Sequence, residues 1–193
     1  KWAENYLDKG QFGAPIFLTA FNYSNAQVRG FEVFANYDQG PWSLYANAAW
    51  SQVSVTNISS AQFNFEQATL DYLASNWIFA DHNQSWTGSA GVAYVFNRET
   101  DRATRVSADM LYGNGLRQTL VTPNDAALPP YATLNLSATQ RLPIAGSRGT
   151  SVRLDAINVT DGQYQLRTGT GVGVGAPQFG MRRAFFVTLS QKF

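Results

Sequence analysis

Cysteine is absent from the 193-residue chain, which rules out a disulfide framework, a thiolate metal site or a cysteine nucleophile. Charge is scarce as well. Asp, Glu, Lys and Arg supply 14% of the residues, where an ordinary soluble domain carries about 25%. A net charge of +1 with no basic cluster leaves no electrostatic footprint for nucleic acid, so no such partner is expected. The one histidine, His82, makes no zinc site alone, and neither a metal nor a cofactor is expected. No stretch reaches the roughly 18 consecutive apolar residues of a membrane-spanning helix. The chain starts Lys1-Trp2-Ala3, without an initiator Met or a charged-then-apolar leader, which fits a processed chain or one piece of a longer one.

Aromatic residues make up 14% of the chain and glycines number 16, a composition that argues against disorder at a length sufficient for one domain. The aromatics fall into an alternating pattern. Over 181–193, Phe185, Val187, Leu189 and Phe193 share one face, while Phe186, Thr188, Ser190 and Lys192 share the other. Successive side chains of a strand point to opposite sides, so this is a strand with one apolar and one largely polar surface. The same frame recurs. Phe31, Val33, Ala35 and Tyr37 oppose Glu32, Phe34 and Asn36, and Trp42, Leu44, Ala46, Ala48 and Trp50 oppose Ser43, Tyr45, Asn47, Ala49 and Ser51. Further alternating runs occupy 86–96, 105–112, 132–141 and 152–156, and 1–7 is a short strand whose frame the pattern leaves open.

Between these runs the connections alternate in length: long at 8–26, 53–83, 113–130 and 163–180, short at 38–41, 97–102 and 143–149. Within the second long one, apolar residues at helical spacing predict a short helix over 66–75. The expectation is all-β: an antiparallel transmembrane β-barrel segment of about eight strands, with long extracellular loops and short periplasmic turns. From Trp42 to Trp50 a strand at about 3.3 Å per residue, tilted by about 40°, rises roughly 20 Å, close to the approximately 25 Å apolar band of such barrels. Tryptophan suits both edges of that band because its ring is apolar and its N–H seeks water. The inward frame carries Glu32, Arg105, Asp109, Arg141, Arg153 and Asp155 as lumen-lining charges. A one-residue slip would turn them to lipid at about 2–4 kcal/mol for a midplane Arg, so register should be firmly set.

Several segments resemble TonB-dependent outer-membrane receptors. They are the exit Asn158-Val159-Thr160-Asp161 with Tyr164, the loop end Gly175-Ala176-Pro177-Gln178-Phe179-Gly180, the Arg182-Arg183 pair and the terminal aromatic. Gly10-Gln11-Phe12-Gly13-Ala14-Pro15 and Ser60-Ala61-Gln62-Phe63-Asn64-Phe65 are similar to segments of proteobacterial members. The resemblance implies the last eight strands of a barrel of roughly 22 filled by an N-terminal plug. It also implies location in the outer membrane of a Gram-negative bacterium and energy-coupled uptake of a scarce ligand such as a siderophore or other nutrient. The implied partners are outer-membrane lipid, the plug and remaining strands, TonB through the N-terminal part, and the barrel-insertion machinery. That machinery would read Phe185, Val187, Leu189 and Phe193, with Gln191 standing where an aromatic is common.

The candidate ligand-binding residues are Phe63, Phe65, Trp77, Asp81, His82 and Phe179, all in long connections. Asp81-His82 lacks a visible second acid and is not expected to be catalytic, and the chain is not expected to be an enzyme. The series Gly169, Gly171, Gly173 and Gly175 lacks the Lys-Ser/Thr continuation of a phosphate loop. Two rivals remain. A self-contained eight-stranded barrel, acting as anchor or small enzyme, would pack Phe34, Tyr45 and Phe186 in its interior. A soluble β-sandwich would instead bury the apolar frame in a core.

Overall fold

The computed structural model describes residues 1–12, 17–144 and 148–192. Phe193 and the motif residues Gly13, Ala14 and Pro15 lie outside them. Eight long strands follow one another as an antiparallel meander. They are β1 (Trp2–Phe12), β2 (Phe17–Gln39), β3 (Trp42–Ile58), β5 (Trp86–Phe96), β6 (Thr104–Gly113), β9 (Tyr131–Leu142), β10 (Arg148–Ile157) and β13 (Ala184–Lys192). The short β4 (Ile78–Phe79) adds to β3 off the main path. Two small ribbons, β7 (Arg117–Gln118) with β8 (Ala126–Ala127) and β11 (Gln165–Arg167) with β12 (Gln178–Phe179), sit in the connections, and α1 (Gln67–Ser75) matches the expected helix. No helix among the described residues is long and apolar enough to cross a membrane. The all-β antiparallel expectation holds. The strand path is open, however: among the described residues β13 pairs only with β10, and β1 only with β2.

Register carries the alternation from strand to strand. Phe31 faces Trp50 and Trp50 faces Trp86, while Ala46 faces Ala90, Ala90 faces Met110 and Met110 faces Leu134. Leu136 lies opposite Ala156, which lies opposite Phe185, and Leu154 lies opposite Val187. One apolar face therefore runs unbroken from β2 to β13. It is exposed, Leu189 by 71% and Trp42 by 46%. The other face aligns Tyr45, Gly91, Asp109 and Asn135 in one row and Ala93, Ser107, Ser137 and Asp155 in the next. Aromatics cluster at both ends of the apolar face. Phe31 stacks on Trp50 and meets Trp86 edge to face at the long-loop end, and Trp42, Tyr94 and Phe96 form a chain of tilted contacts at the short-turn end. There, Gly40 at φ +56° turns the chain between β2 and β3.

Residues 8–12 and 17–26 of the expected loop are strand. β1 runs on to Phe12, and its residues other than Asn5 pair in one register with β2 between Gln27 and Phe17. β3 likewise continues to Ile58, seven residues beyond the end of its alternating run at Ser51. A frame switch hides these extensions. Buried positions of β3 pass from Val55 to Ile58 across Asn57 (φ 51°), and those of β2 from Ala26 to Tyr23 and Phe21. On β1, Tyr6 lies opposite Tyr23 and Ala3 opposite Ala26, with Asn5 (φ 53°) between them. Asparagine tolerates this left-handed conformation better than most residues, and each such residue displaces the alternation by one.

Burial concentrates at this end. Phe21, Tyr23, Val55, Ile58, Leu73, Ile78 and Val172 form the core, with Phe12, Phe65 and Leu70 packed against it. The interior thus lies where β1, β2 and β3 outrun their neighbours and the long connections fold over them.

Candidate functional site

Three long connections meet over this core: 59–85, 114–130 and 158–183. Asp81, only 5% exposed, pairs through Oδ2 with the Arg167 guanidinium, joining the first connection to the third. Its carbonyl accepts from the Arg117 amide at 3.1 Å, and the Arg117 guanidinium lies 3.9 Å above the Phe79 ring. Asn124 is a three-way joint, donating from Nδ2 to the Phe79 carbonyl at 2.9 Å and accepting at Oδ1 from the Val172 amide at 2.8 Å. The third connection also docks on the rim of β1, where the Gln11 amide donates to the Gly173 carbonyl at 2.7 Å and Gln178 Nε2 donates to Gln11 Oε1 at 3.0 Å.

The electrostatics of this joint are set by burial. Removal from water raises Asp81 from 3.8 to about 6, Arg167 opposing and Asp8 adding to the shift. Burial, reinforced by Asp8 and Asp81, holds the Tyr23 phenol well above its ordinary value, and burial lowers the Arg117 guanidinium. Asp81 Oδ1, Tyr23 OH, Arg117 Nε and Asn64 Nδ2 are buried without a hydrogen-bond partner. Each such group costs about 1–3 kcal/mol. Asp81 Oδ1 is pressed against Gly171, where an added Cβ would stand 2.4 Å from it, so only glycine fits there.

The six sequence candidates are not brought together. Phe63 (87% exposed) and Phe179 (68%) stand out from the surface, and Trp77 meets Trp2 with ring centroids 5.6 Å apart. Phe65 packs edge to face on Phe12 and Phe21. Asp81 and His82 turn to different partners: His82 Nδ1 lies 3.6 Å from Asp8 Oδ2, and its Nε2 lies 3.4 Å from Tyr6 OH. Among the described residues no group of three His, Asp or Glu is placed to hold a metal ion.

Glu32, Arg105, Asp109, Arg141, Arg153 and Asp155 do share the polar face. Arg153 binds Asp155 bidentately along one strand, the shortest contact 2.7 Å. Asp109 accepts from Asn135 Nδ2 at 3.3 Å, and Arg141 donates to the Thr100 carbonyl at 3.3 Å. Arg105, Asp109 and Arg153, together with Asp38, Ser43 and Tyr45, border a cavity of about 540 Å³. On the opposite face Phe185, Val187 and Leu189 are exposed in a row. At the exit to the last connection, Asp161 accepts two hydrogen bonds from Arg182 and one from the Arg183 amide. These contacts depress its pKa far below the carboxylate range.

Sequence reasoning missed Tyr23, Arg117, Asn124 and Arg167, because their partners lie 36 or more positions away along the chain or on strands read as loop. No family model matches the chain, and neither the curated proteins nor the solved structures include a match to it.

Proposed function

We propose that the chain is a C-terminal strand set of an outer-membrane β-barrel receptor of the TonB-dependent type, which takes up a scarce ligand without chemistry of its own. The observation that carries this reading is the two-faced sheet. Across seven consecutive strands the register keeps apolar residues on one face, bounded by Phe31, Trp50 and Trp86 at one edge and Trp42, Tyr94 and Phe96 at the other. A lipid band with aromatic girdles calls for this arrangement, whereas a soluble sandwich would cover the face.

The edges favour a segment of a larger barrel over a self-contained one. Beyond Gln27, β2 has no strand beside it on the β1 side among the described residues, and the outer edge of β13 is likewise unpaired. Unsatisfied backbone groups inside a bilayer cost several kcal/mol each, so both edges require further strands. A filled eight-stranded interior would bury Phe34, Tyr45 and Phe186, yet these are 73%, 41% and 50% exposed. On this reading the polar face with Arg105, Asp109 and Arg153 meets the plug, and the loop assembly around Asp81 forms part of the ligand-facing mouth.

The test is expression of the full protein in a Gram-negative host. It should fractionate with the outer membrane, and ligand accumulation should stop when a protonophore collapses the inner-membrane proton gradient. Accumulation that persists without the gradient would contradict the energy-coupled reading.

A further inference from the structure

The loop assembly holds a groove of about 350 Å³ between the rim of β1, the start of α1, the 119–123 turn and the glycine-rich segment 170–175. Its wall is rich in uncharged donors and acceptors: Gln11, Asn64, Thr69, Thr119 and Thr170 contribute amides and hydroxyls. Phe12 and Phe65 meet edge to face there, with centroids 5.2 Å apart, and give the groove an apolar side. Gly171, Gly173 and Gly175 bring bare peptide groups to the surface of the third connection. No Lys, Arg or His lines the groove among the described residues, and the single charge on its wall is the carboxylate of Glu66. Glu66 caps α1 without a side-chain cap bond, so negative charge already stands beside the helix N-terminus, where an anionic ligand would otherwise gain most.

We infer that this groove recognises a neutral, hydroxyl-rich ligand, a short saccharide in chemical class, and not an anionic metal chelate. The inference rests on the receptor reading above and names the ligand class of its mouth. Amides and hydroxyls pair with sugar hydroxyls in both directions, and a half-buried phenylalanine pair offers the apolar faces of a pyranose a surface. Asn64 borders the groove, where its side-chain amide would pair with a ligand hydroxyl. A carboxylate-rich chelate would meet Glu66 and find no cation to pair with.

The experiment titrates the full protein in detergent micelles with maltose and cellobiose as neutral probes, ferric citrate as an anionic probe and spermidine as a cationic one, read by calorimetry. At least one neutral sugar should bind, and neither charged probe should. Asn64→Ala should weaken sugar binding by about tenfold, the loss of one hydrogen bond. Thr69→Val should do so independently. Binding of ferric citrate or spermidine that Glu66→Gln alters, or binding of none of the probes, overturns the inference. A protein that needs detergent and binds no sugar loses this inference alone. One that stays monomeric without detergent loses the barrel reading beneath it.

Discussion

The two halves of the long strands obey different rules. From 28 to 39 on β2 and from 42 to 51 on β3, side chains alternate without interruption, and the large apolar residues of one frame are exposed but for the half-buried Trp50. A few residues further along the same strands, Phe21, Tyr23, Val55 and Ile58 lie in a closed core, and the frame has switched at Asn5 and Asn57. One backbone continues through both regions. What differs is what each wall meets: an exposed apolar face in the first, which the proposed reading sets against lipid, and folded protein in the second.

The comparison breaks most visibly at the core. Phe21→Ala should cost about 3–5 kcal/mol in denaturant unfolding, the penalty for a large buried ring. A loss below about 1 kcal/mol would mean that the outer end does not pack as a core. Next comes Ala90→Arg, on the apolar face, which should cost about 2–4 kcal/mol in lipid vesicles, while Ser43→Arg on the opposite face should cost little. Equal effects would erase the distinction between the faces.

The third test is pH. Asp81 holds its proton up to about 6 in the folded protein, above its ordinary 3.8. Between those values the folded state binds a proton that the unfolded chain has lost, so stability rises as pH falls. The penalty of the ionised form is fully present above pH 6, about 2–3 kcal/mol. Asp161 is shifted in the opposite sense by Arg182, and its contribution is lost only below its unfolded value. The melting temperature should therefore increase from pH 7.5 to pH 5, and Asp81→Asn should flatten that increase. The smallest effect is expected for Asn57→Ala, about 1 kcal/mol for placing a Cβ-bearing, less tolerant residue at φ 51°. Asn57→Gly should recover most of it.

The same contrast explains what the sequence could reveal. Strand order, the apolar face and the polar positions of Arg105, Asp109 and Arg153 follow from a period of two, which is local and therefore legible. The helix at Gln67–Ser75 was legible for the same reason, through a period of 3.6. The segment 8–26 was opaque because the buried positions of β2 pass from Ala26 to Tyr23, a spacing of three that breaks the period of two, leaving Gly10 and the turn residues as the dominant local signal. The Asp81–Arg167 pair joins positions 86 residues apart and has no local signature. Phe65, read as a possible ligand platform, borders the groove, but its position there is fixed by Phe12 and Phe21, contacts that exist only because the strands extend that far.

The five tryptophans divide between the regions, Trp42, Trp50 and Trp86 on the apolar face and Trp2 and Trp77 paired at the outer end. Fluorescence of single-tryptophan variants of the full protein, reconstituted in vesicles of bromine-labelled phospholipid, tests the central claim directly. Strong quenching of Trp42, Trp50 and Trp86 with Trp2 and Trp77 unaffected is the predicted result. Uniformly weak quenching of all five would contradict it, since the exposed apolar face would then meet no lipid.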